Sequence, residues 1–123
     1  MARDDYHVIV YQILSYLYKQ LKAGAEVDPA NISAGSPYYA INEKYWQYII
    51  LSLFEDGYIR GLKAREQRYA TGETEIQVFD LDRCQITPKG IEYLTDNSFM
   101  QKAKDFFKDA KSIIPFYKAL LIS

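Results

Sequence analysis

Arg60, Lys63, Arg65 and Arg68 fall within nine residues of one another, opposed by a single acid, Glu66. Cations at that density can neutralise phosphate. If all four did so, affinity for double-stranded DNA would fall with salt at a logarithmic slope of roughly minus three to four. Arg65 and Arg68 are spaced to straddle a minor groove or clamp phosphates, and Tyr69 adds a stacking surface beside them. A second group lies upstream. Asn42 and Gln47 carry amides suited to base edges, Lys44 brings a cation and Tyr48 an amphipathic ring. Glu43 and Glu55 share that segment and would repel phosphate. The competing interpretation is a solvated hairpin and a helix face whose Tyr48 and Leu51 meet a protein partner.

Catalytic and metal chemistry find little to work with. His7 is the sole histidine, with no cysteine or serine motif beside it, and Cys84 is the sole cysteine. One thiol excludes an intrachain disulfide and a thiolate metal site, and its neighbours Gln85 and Ile86 suggest a small buried hydrophobe in a strand. Asp80 and Asp82 would share one side of a regular strand and could bind a cation, but two carboxylates are an incomplete ligand set. No phosphate-cradling glycine loop is present. The expectation is therefore a protein that is not an enzyme and needs no cofactor or metal. A lone cysteine fits a reducing cytoplasm, and Met1-Ala2-Arg3-Asp4-Asp5 does not open a secretory signal. The apolar run Ile113 to Ile122 contains Pro115 and Lys118 and is far short of the roughly 20 residues that span a bilayer. No membrane partner is expected.

Elements must position those side chains. Tyr6, Ile9, Val10, Ile13, Leu14, Leu17 and Leu21 recur every three or four residues, which predicts an amphipathic helix ending at Gly24. Asp28-Pro29 opens a short second helix that Gly35-Ser36-Pro37 stops. Asn42 caps a third, with Tyr45, Trp46, Ile49, Ile50, Leu53 and Phe54 inward and Gly57 at its end. The period then drops towards two. Tyr58 to Arg65 and roughly Ile76 to Ile86 are strands, Glu66 to Glu75 a polar hairpin tip, and Asp80-Leu81-Asp82 a break in the alternation. Ile86 leads into Thr87-Pro88-Lys89-Gly90, where Thr87 caps a fourth helix, Pro88 takes its first position and Gly90 permits close approach to a neighbouring backbone. That helix runs to about Asp96, with Asn97 as a left-handed stop.

Ser98 and Gln101 form a capping box for a fifth helix, whose apolar positions Phe99, Ala103, Phe106, Ala110, Ile113, Tyr117 and Leu120 alternate spacings of four and three. Phe99, Phe106, Ile113, Tyr117 and Leu120 would form a homodimer seam or pack on the first helix. Pro115 should kink or end the helix near Ile114. Basic charge gathers late, with five Lys against two acids from residue 101 onward, although the chain as a whole is at net charge −1.

Three helices, a long hairpin and a Thr-Pro-Lys-Gly helix define an α+β chain, mainly α: a winged helix-turn-helix with three N-terminal helices, a β-hairpin wing and two C-terminal helices. Residues 1–97 would be the winged-helix domain. Residues 98–123 would be a helical extension packed on it or mediating dimerisation. Asp5-Tyr6, Tyr45-Trp46, Leu53 to Gly61 and Ile86 to Leu94, in that order, resemble the YjcQ family of small phage-associated winged-helix proteins over about residues 4 to 100. The resemblance implies a bacterial or prophage protein with no established activity. The partner expected is double-stranded DNA, with a protein partner as the alternative.

Overall fold

In the computed structural model, which describes residues 5–110 and the side chains of residues 6–107, helix α1 (Asp5–Ala23) lies at the centre of the core. Its residues Ile9, Val10, Ile13, Leu14 and Leu17 are almost wholly buried, as the apolar spacing requires. Leu21 departs from that stripe and is exposed. Gly24, at φ +64°, closes the helix: its amide donates to the Leu21 carbonyl and that of Ala25 to the Gln20 carbonyl.

The expected second helix is corrected to a single 3-10 turn, Pro29–Asn31. Asp28 accepts from the Ala30 amide as anticipated. Only three residues then separate the turn from Gly35-Ser36-Pro37, and a residue before proline is pushed out of helical geometry, so no second turn can propagate. The chain instead drapes over the core. Ile32 and Ser36 are fully buried; the Ile32 carbonyl accepts from Trp46 Nε1 at 2.7 Å, and the Tyr38 carbonyl from Gln12 Nε2 at 3.0 Å. Two α-helices, not three, precede the hairpin.

Helix α2 (Glu43–Glu55) starts where Asn42 accepts from the Lys44 and Tyr45 amides, and it buries Trp46, Ile49, Ile50 and Leu53. Gly57, at φ +80°, ends it. Strand β1 (Ile59–Arg60) then pairs antiparallel with β4 (Gln85–Ile86), and β2 (Lys63–Arg68) pairs with β3 (Thr74–Phe79). The tip is shorter than the sequence suggested, Tyr69 to Glu73, because both strands run on into the polar connector. The return strand breaks where expected: Asp80 is left-handed at φ +61° and opens a 3-10 turn, Leu81–Arg83. Opposite it Gly61, at φ +97°, lets the chains touch, since a Cβ there would collide with the Arg83 carbonyl.

Helix α3 (Pro88–Asp96) forms as its residues predict. Thr87 Oγ1 accepts from the Gly90 amide at 3.0 Å and donates to the Gly57 carbonyl at 2.6 Å. A Cβ on Gly90 would collide with the Tyr58 carbonyl, so the glycine is required by that contact. Asn97 is not a left-handed stop. It is extended, at φ −74° and ψ 135°, and its Oδ1 accepts from the Phe99 and Met100 amides, capping helix α4 (Ser98–Ala110). The capping box at Ser98 is thereby displaced by one residue, and Gln101 reaches the Thr95 carbonyl instead.

α4 turns Met100, Ala103 and Phe107 into the core against α1 and α3, so its buried stripe is shifted from the predicted Phe99, Ala103 and Phe106. The architecture is α+β and mainly helical, with two small two-stranded sheets. No helix among the described residues is long and apolar enough to cross a membrane.

Candidate nucleic-acid and partner surfaces

The hairpin of β2 and β3 projects from the core and meets it at Val78. On β2 every residue except the half-buried Gln67 is exposed, and only Gln77 and Val78 are partly covered on β3. Residues directly opposite in an antiparallel pair share a face. The register therefore puts Lys63 and Arg65 with Gln77 and Phe79 on one face, and Arg68 with Thr74 and Ile76 on the other. Arg65 and Arg68 are thus back to back across the ribbon. The Arg65 guanidinium lies over the Phe79 ring, 5.4 Å from its centroid. Arg60 sits at the base on β1 and is exposed.

One ion pair forms among the described residues, Lys63 to Asp80 at 3.8 Å, with both side chains well exposed. Such a pair contributes little and is readily exchanged for another anion. Arg60, Arg65 and Arg68 make none. At the tip Tyr69 is partly exposed, and its hydroxyl donates to Glu75 at 2.6 Å, a bond that raises the phenol pKa. Asp80 and Asp82 do not lie along one side of a strand, because the left-handed residue and the 3-10 turn separate them. Among the described residues no three His, Cys, Asp or Glu side chains gather as metal ligands would.

Helix α2 presents less than its sequence offered. The Asn42 carbonyl is engaged as a cap, at 2.8 Å from the Lys44 amide. Gln47 is half-buried, and its amide donates to the Ile76 carbonyl at 2.9 Å, tying α2 to the outer edge of β3. A groove of about 420 Å³ lies along that junction, lined by Glu43, Trp46, Gln47 and β3. Lys44 and Tyr48 remain exposed, as do Glu43 and Glu55, while Leu51 is half-buried.

Tyr48 belongs to a feature the sequence did not announce. Its ring meets Tyr6 of α1 at 6.3 Å, Tyr6 meets His7 at 5.2 Å, and His7 stacks on Phe99 of α4 at 4.3 Å. The Tyr6 phenol pKa is raised, chiefly by burial and then by Tyr48 and Asp56. Beside it Tyr58 stacks on Tyr93 at 4.5 Å, with Lys89 over the Tyr58 ring and bonded to the Asp56 carbonyl at 2.7 Å. The signal available in the sequence was the number of tyrosines, twelve, but not their convergence. Of the proposed seam residues, Phe99 and Phe106 are exposed, whereas Ile113, Tyr117 and Leu120 lie outside the described residues.

Cys84 is fully buried, and burial pushes its thiol up to about 12. It is a core residue.

These observations define a small α+β, mainly helical domain carrying an exposed cationic hairpin and, apart from it, an aromatic band. The model of the family described as YjcQ protein matches residues 11–113, and the chain belongs to that family. No curated protein matches the chain, and no solved structure does.

Proposed function

We propose that this chain is a non-catalytic winged-helix protein that holds double-stranded DNA by its phosphate backbone, with the β2–β3 hairpin as the wing. The observation that carries the reading is that Arg60, Arg65 and Arg68 are exposed and unpaired with acids among the described residues. A ribbon with cations on opposite faces can meet both phosphate walls of a groove it enters. Asn42 Oδ1 and Gln47 Nε2 are engaged within the fold, so α2 contributes Lys44 and Tyr48 as positioning contacts and limited base readout. Binding of this kind is sequence-tolerant.

The test is fluorescence anisotropy with a mixed duplex pool. Three phosphate contacts give a slope of about −2.7, so affinity should fall about 40-fold between about 50 and 200 mM salt. Arg65→Glu with Arg68→Glu should abolish binding. Absence of binding at the lower salt would overturn the proposal. It would favour the second reading, a protein-interaction module on the same scaffold, which rests on Tyr48 being 64% exposed between the acids Glu43 and Glu55.

A further inference from the structure

The aromatic band crosses three helices and is most open at its ends, with Tyr48 64% and Phe99 45% exposed. Phe106, 37% exposed, lies seven residues beyond Phe99 on the same outer face of α4. Seven residues return to one side of a helix, so the two rings form a row parallel to the axis. Between them stand two exposed charges of opposite sign, Lys102 and Asp105; the Lys102 ammonium rests 5.6 Å from the Phe99 ring centroid. The face turned to the core is filled by Met100, Ala103 and Phe107; Phe99 leans on His7 and Phe106 on Phe107, and each leaves more than a third of its surface open.

We propose that the α4 end of this band is the contact between two copies of the chain, related by a two-fold axis that lays α4 of one antiparallel on α4 of the other. An isologous contact must be complementary to itself, with residue i meeting j and j meeting i. The α4 row meets that condition. Setting Phe99 against Phe106 of the second copy brings Lys102 within reach of Asp105 of the second copy, and the axis repeats both contacts. A patch holding one cation and one anion meets its copy without net repulsion, whereas a strongly acidic or basic partner would oppose one of its own charges.

The described part of α4 is about 20 Å long at 1.5 Å per residue, so the footprint falls below the roughly 800 Å² per partner of a standard stable interface. Such a contact is smaller than that of an obligate dimer, so the association is expected to depend on concentration. Phe99, Lys102, Asp105 and Phe106 are not among the side chains proposed to meet DNA, so dimerisation and duplex binding are measured separately.

Sedimentation equilibrium of the full chain from about 5 to 500 µM should follow a monomer–dimer equilibrium in that range. Phe99→Ser with Phe106→Ser should weaken it at least tenfold, and circular dichroism should show the fold intact because the buried stripe of Met100, Ala103 and Phe107 is kept. Leu21→Ser, an exposed apolar residue outside the band, should leave it unchanged. Lys102→Asp should weaken the dimer, and adding Asp105→Lys should restore it. A monomer throughout the range overturns the proposal. So does a dimer indifferent to the phenylalanine pair, one weakened equally by Leu21→Ser, or a double charge exchange that fails to recover association.

Discussion

Gln47 separates a base-reading helix from a helix that braces the hairpin. Replacing it by alanine removes one side-chain-to-backbone hydrogen bond, to the Ile76 carbonyl at 2.9 Å, from a half-buried site. A bond of this kind contributes about 0.5 to 1.5 kcal/mol net, and water can reach the Ile76 carbonyl, so the loss belongs near the lower half of that range. With a urea dependence of about 2 kcal/mol per molar, the unfolding midpoint should fall by about 0.3 to 0.5 M. The local effect is more diagnostic than the global one. Amides of β2 and β3 should exchange faster in the variant, because the Gln47 side chain ties α2 to β3, while those of α1 and α3 keep their protection. Gln47→Glu should match the alanine variant or exceed it, since a carboxylate cannot donate to a carbonyl. Unchanged stability and unchanged hairpin exchange, together with a selective loss of affinity for one duplex sequence, would show that Gln47 reads bases and that the bracing argument is wrong.

Two further predictions concern the fold that carries the hairpin. Thr87→Ala removes both an acceptor for the Gly90 amide and a donor to the Gly57 carbonyl at a nearly buried position, so it should cost about 2 kcal/mol or more, whereas Thr87→Ser retains both bonds and should cost under about 1 kcal/mol; urea unfolding distinguishes them. The Cys84 thiol, raised by burial from an ordinary 9.0 to about 12, should resist alkylation in the native state at pH 8 and react on unfolding. Because its folded pKa lies above the unfolded one, its stabilising contribution is complete below about pH 9 and is lost as pH rises towards 12; Cys84→Ala should flatten that alkaline decline in a pH series of urea midpoints.

The parts of this molecule that were legible in the sequence are those decided within a few residues. Thr87, Pro88 and Gly90 specify a helix start by hydroxyl, fixed φ and missing side chain, and all three act in place. Asn42, Gly24 and Gly57 mark helix ends for equally local reasons. Where two neighbours carry the same capability, local chemistry leaves a choice of one residue. Asn97 and Ser98 can both cap, and the tertiary position of α4 selected Asn97. That selection accompanies a core stripe of Met100, Ala103 and Phe107, leaving the larger Phe99 and Phe106 outside. The amide of Gln47 was beyond reach for another reason: its acceptor is 29 residues away on a strand whose register depends on the left-handed turn at Asp80.

Those same breaks govern how the hairpin can act. Gly61 and Asp80 divide one long ribbon into a buried base, where Ile59 faces Ile86, and an outer ribbon from Lys63 to Phe79. The base is held by core side chains. The outer ribbon is held by packing of Leu62, Val78 and Leu81 near its foot and by the bond from Gln47. A free-standing two-stranded hairpin is marginal in water, so this one depends on those few contacts for its angle to the body. Loosening Gln47 should therefore alter how Arg65 and Arg68 are presented to phosphate even though neither touches it.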